Sequence, residues 1–89
     1  MKMKMFSVYD AKARSFCTPF FCPNEHVAMR SFEHASNDPS SDIGRYPTDF
    51  SLYQLGEFDA TTGGFDLLDQ PLHLSLAVTL VQPTQTEVA

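Results

Sequence analysis

No stretch of this sequence approaches the ~18 consecutive apolar residues that a membrane-spanning helix needs, so no contact with a bilayer is expected. Met5, Phe6 and Val8 are interrupted by Ser7 and Asp10, which denies the first residues the continuous apolar core of a signal peptide. Both absences predict a protein that stays in a cytoplasm. The two cysteines, Cys17 and Cys22, are then expected as reduced thiols and not as a disulfide framework. Positive charge is scarce after the first third of the chain. Residues 1 to 30 hold Lys2, Lys4, Lys12, Arg14 and Arg30 against Asp10 and Glu25, for a local balance of +3. Residues 31 to 89 hold Arg45 against nine acids, for −8, and the whole chain stands at −5. Tight, purely electrostatic binding to a phosphate backbone is therefore not expected, although a basic end and an acidic end are.

Catalytic signatures are missing as well. Nucleophilic catalysis needs a Ser or Cys with a base and an orienting acid, and no G-x-S-x-G elbow is present. Gly63-Gly64 lacks the lysine and the helix start of a phosphate-binding loop and reads as a hairpin turn. Cys17, Cys22, His26 and His34 are zinc-type ligands, but C-x4-C-x3-H-x7-H places the two histidines about two helical turns apart, outside the usual H-x3-5-H. No metal, no cofactor and no enzymatic activity are expected. His73 reads as a surface residue.

With 89 residues there is room for one domain, placed here at residues 1–82. Lys4 to Tyr9 alternates Phe6 and Val8 with Met5, Ser7 and Tyr9, a strand pattern, and Asp10 to Lys12 would turn it. Ser15 to Phe21 would pair back, but Pro19 cannot donate to a ladder and confines it to a sheet margin. Asn24 before Glu25 is an N-cap, and Ala28, Phe32 and Ala35 form the apolar stripe of a helix running to about Ser36. Residues 37–49 read as a long loop, with two prolines and several side chains that compete for backbone bonds. Phe50 to Asp59 reads as a strand ahead of the Asp59 to Gly64 turn, with a helix capped by Thr48 or Asp49 as the other option. Leu72 to Val81 alternates throughout, setting Leu72, Leu74, Leu76, Val78 and Leu80 on one face, and is the clearest strand pattern in the chain. Beyond it, residues 83–89 have no apolar anchor and are expected to be disordered. The order β-β-α-β-β implies an α+β fold, a small antiparallel sheet of four or five strands with one helix, or else a small OB-like five-stranded barrel. The helix stripe is too narrow to hide the strand leucines and phenylalanines, which predicts a homodimer built on the sheet.

Lys2, Lys4, Tyr9, Lys12, Arg14, Phe16, Phe20 and Phe21 interleave basic residues with aromatics, the mixture that lets rings stack on bases while cations track phosphate. Met5-Phe6-Ser7-Val8-Tyr9-Asp10-Ala11-Lys12, Pro19-Phe20-Phe21, Asn37-Asp38-Pro39, Pro47-Thr48-Asp49-Phe50 and Leu55-Gly56-Glu57-Phe58-Asp59 with Thr62-Gly63 follow in order. Together they resemble the small nonstructural protein from the fifth reading frame of gokushoviruses, the Microviridae that infect Chlamydia and many gut and marine bacteria. The resemblance spans roughly residues 5 to 82 and carries no established binding or catalytic residue. It implies a phage protein absent from the virion, made in the host bacterial cytoplasm, and described as DNA-binding or as a switch toward single-stranded genome synthesis. The expectation is weak binding of single-stranded DNA through the basic aromatic first hairpin, with Arg30 contributing from the helix and three or four phosphates neutralised. A rival is an acidic interaction module or DNA mimic acting on a phage or host replication protein through Asp38, Asp42, Asp49, Glu57, Asp59, Asp66 and Asp69.

Overall fold

The computed structural model describes residues 1–82, and the expectation of disorder for 83–89 lies outside the described residues. The chain begins with strand β1 (Lys2–Asp10), followed by β2 (Ser15–Phe16) and β3 (Phe20–Cys22). Both short strands pair antiparallel with β1, Tyr9 opposite Phe16 and Phe6 opposite Phe20. They are the two halves of the segment expected at the margin, and the break falls at Cys17-Thr18-Pro19, where proline removes a donor. Ser7, fully buried, donates its Oγ hydrogen to the Cys17 carbonyl at 2.6 Å and fixes that break against β1.

Helix α1 (Glu25–Ser36) starts where the sequence indicated: the Asn24 side chain accepts from the Val27 N–H at 3.0 Å. Its buried residues are Ala28, Phe32 and Ser36, so the stripe is narrow, and Ala35 is only half-buried. Residues 37–49 are more ordered than a loop. They contain a one-turn helix α2 (Asp42–Arg45) and a 3-10 turn at Pro47–Asp49. The Ser41 hydroxyl accepts from the Gly44 N–H and donates to the Ala35 carbonyl, so side chains that compete with backbone bonding here build caps.

Strands β4 (Phe50–Asp59) and β5 (Gly64–Leu76) form the long antiparallel hairpin. The strand option for Phe50–Asp59 is the one adopted. The sheet order is β2-β1-β4-β5, with β3 also on β1, and no ladder joins β5 back to β2 or β3 among the described residues. The fold is the expected α+β arrangement of five strands and one main helix, with an open sheet in place of a closed barrel. The last strand departs from its expected limits: it begins at Gly64 and stops at Leu76, and Ala77–Leu80 is a 3-10 turn. The leucine alternation is not one face. The ladder with β4 is irregular on either side of Tyr53 and His73, where four residues of β5 (68–71) face Leu55 alone. Leu72 is consequently exposed, Leu74 packs on the core, and Ala77, placed on the opposite face by simple alternation, is fully buried.

One core cluster unites Phe6, Val8, Cys22, Ala28, Phe32, Phe50, Leu52 and Ala77. It covers only one end of the sheet. Overall extents are 54 × 27 × 19 Å, and the first ten residues of β5 are all exposed. Among the described residues no helix is long and apolar enough to cross a membrane.

Candidate nucleic-acid interface

The pairing of β1 with β4 decides which side chains share a face. Alternation along β1 sets Lys2, Lys4, Phe6 and Val8 on the helix side, and Met3, Met5, Ser7 and Tyr9 on the other. Leu55 is an extra residue of β4 in this ladder, lying between the pairs Met5–Gly56 and Phe6–Gln54. That bulge brings Tyr53 and Phe58, an odd number of residues apart, onto the same uncovered face.

Two aromatic rows cross this face. The first runs Phe16, Tyr9, Tyr53, His73, with ring centroids 4.9 Å apart for Tyr9–Phe16, 5.3 Å for Phe16–Tyr53 and 5.2 Å for Tyr53–His73. The second runs Phe21, Phe58, Phe65, at 5.8 and 5.2 Å. The tilted and edge-on geometries are those that aromatic quadrupoles favour. Along β1 the rows are roughly 13 Å apart at ~3.3 Å per residue. Phe16 and Phe21 are each 42% exposed, Phe65 60% and Leu67, which pairs with Gly56 on the same face, 63%. No paired position on this face carries Asp, Glu, Lys or Arg.

Charge is collected elsewhere. Lys4 Nζ lies 3.2 Å from Glu57 Oε2 and Lys2 Nζ 3.9 Å from Glu57 Oε1, both on the helix side of the sheet. Lys12 lines an open cavity of about 400 Å³ together with Asp10, Asp42, Asp49, Tyr46 and Phe50, and its ammonium makes no ion pair among the described residues. Arg14 has no ion pair among the described residues. It is also the one non-glycine residue with a positive φ, 57°, there. Asp10 imposes that turn: its carboxylate accepts from the Lys12 and Ala13 N–H groups at 3.0 and 3.2 Å, and its carbonyl accepts from the Arg14 N–H at 2.7 Å. Burial, and then the Asp10 carboxylate, push the Cys17 thiol above its ordinary value, and burial does the same to Cys22. Both are therefore poor thiolate nucleophiles at neutral pH. Among the described residues no three His, Cys, Asp or Glu side chains converge as a metal-binding group.

A family model described as "Phage ORF5 protein" matches residues 3–80. The chain belongs to the phage ORF5 protein family. Protein ORF5 of Chlamydia phage 1, a gokushovirus, is 36% identical to it over 73 residues, covering 78% of this chain and 76% of that protein. No solved structure matches it. The family indicated by the ordered sequence segments is the family matched.

In this ORF5 chain the expected site residues separate into groups. Tyr9, Phe16 and Phe21 share the uncovered face. Phe20 turns inward and stacks on Phe6 at 5.9 Å. Lys2 and Lys4 are engaged by Glu57, Lys12 lines a cavity with three Asp residues, and Arg30 is exposed on α1 on the helix side. The residues that sequence reasoning missed as members of this face are Tyr53, Phe58, Phe65, Leu67 and His73. Five of the seven acids of the rival reading fall into two groups: Asp42 and Asp49 line the cavity beside Lys12, and Glu57, Asp59 and Asp66 line a second with Lys2, while Asp38 accepts from Ser40.

Proposed function

We propose that this ORF5 protein is a nonenzymatic accessory of phage genome replication or packaging, acting in the host bacterial cytoplasm by weak binding of single-stranded DNA. The supporting observation is the uncovered row Phe16–Tyr9–Tyr53–His73 beside the turn that carries Arg14. Every base has a π-face, so an aromatic platform binds single strands with little sequence preference, at ~1–3 kcal/mol per stacked base. Duplex DNA hides those faces and is not a ligand of the platform.

The electrostatic share is smaller than the sequence alone suggested. Lys2, Lys4 and Lys12 have acidic neighbours, which leaves Arg14 as the cation next to the row. Each neutralised phosphate contributes ~0.7 to the salt slope for single strands. The expected slope of log affinity against log salt is therefore about −0.7.

Fluorescence anisotropy of a labelled ~30-nucleotide strand tests this at about 50 and 200 mM salt. Phe16→Ala, which removes a half-exposed ring, should weaken binding at least ~5-fold at both salts. Lys4→Glu should change it less than 2-fold. Equal loss in both variants, or no binding by the parent chain at either salt, rejects the reading.

A further inference from the structure

We infer that the uncovered sheet face is also a self-association surface, whose occupant in the absence of nucleic acid is the same face of a second copy of this chain. This goes beyond strand binding and does not require it. The first reason is charge. Of the 16 Asp, Glu, Lys and Arg residues among the described residues none occupies a paired position on this face, whereas Lys2, Lys4, Glu57, Asp59 and Asp66 all alternate to the other. A charged partner would find nothing to complement across most of the surface. Two copies of a chain with net charge −5 can meet here with their charges directed outward, beyond much of the ~8 Å screening length at physiological salt.

The second reason is self-complementarity. A two-fold axis passing between the rows would lie over Met5 and Gly56, where β1 and β4 pair and Gly56 has no side chain. Rotation about that axis lays Phe16, Tyr53 and His73 of one copy on Phe21, Phe58 and Phe65 of the other, ring against ring. The third reason is area. Taking ~150–250 Å² for a fully exposed aromatic, the exposed parts of both rows and Leu67 amount to roughly 600 Å² per copy. That is close to the ~600–800 Å² per partner at the lower end of specific interfaces.

Sedimentation of the full chain from about 1 to 300 µM, without nucleic acid, decides the matter. The parent chain should move from monomer to dimer mass across that range. Leu67→Asp and Phe16→Asp, at opposite ends of the face and both at exposed positions, should each remain monomeric at 300 µM with unchanged circular dichroism. Leu72→Asp, 51% exposed but paired with Gln54 on the helix side, should dimerise as the parent does. A parent chain that stays monomeric to 300 µM overturns the proposal. So does a dimer that survives in Leu67→Asp or Phe16→Asp, because its interface would then lie elsewhere.

Discussion

Arg14 occupies a backbone conformation that costs a side-chain-bearing residue roughly 1–2 kcal/mol and glycine almost nothing. Arg14→Gly should therefore leave stability unchanged or raise it by up to about 1 kcal/mol in urea unfolding, while weakening strand binding severalfold. A loss of stability would mean that the arginine side chain holds the turn. Ser7 presents the reverse case, a fully buried hydroxyl with a single structural task. Ser7→Ala removes its bond to the Cys17 carbonyl and should cost about 1 kcal/mol, read from the urea midpoint. Asp59 governs a pH response. The Thr61 N–H holds its carboxyl below the ordinary value, and Lys2 contributes in the same direction. A folded value below the unfolded one of about 3.9 gives stabilisation that is complete above pH ~4 and fades as pH falls through the lower value. Asp59→Asn should melt below the parent at pH 7, and the two curves should converge in acid.

The hairpin of β4 and β5 depends on Gly56. A Cβ there would press on the Asp66 carbonyl oxygen and lie 2.8 Å from Leu67 Cα, both rigid backbone of the neighbouring strand. Gly56→Ala should separate the strands at a cost of about 1–3 kcal/mol and tilt the second aromatic row, visible as a lowered urea midpoint. At this scale the sequence was legible wherever one local rule decided the outcome. Asn24 capped α1, alternation gave β1, and Pro19 placed its segment at the margin. It was illegible where irregular pairing intervened. Tyr53 and Phe58 share a face through the extra residue Leu55, and the leucines from Leu72 onward are separated by the distorted ladder and the Ala77–Leu80 turn. Bulge positions follow from how two strands meet, which neither strand's pattern specifies. For the same reason the basic-aromatic cluster does not share one surface: alternation sends Lys2 and Lys4 to one face and Tyr9 to the other.

On the scale of the whole molecule, one short helix covers one end of an open sheet and leaves the other side aromatic, with no charge at its paired positions. Strand binding and self-association then compete for Phe16 and its neighbours. An excess of an ~8-nucleotide single strand should shift the chain in sedimentation from the dimer to one chain bound to one strand, by an amount that follows its differential affinity for the two states. Stacking on the first row remains the central claim, and the composition supplies its reporter. The chain has no tryptophan and three tyrosines, two of which, Tyr9 and Tyr53, belong to that row. Titrating an unlabelled single strand into the protein at 200 mM salt while following tyrosine emission measures stacking directly. Saturable quenching that is lost in Phe16→Ala and kept in Lys4→Glu is the predicted result. A strand that raises anisotropy yet leaves tyrosine emission unchanged would place nucleic acid on another surface and contradict the account.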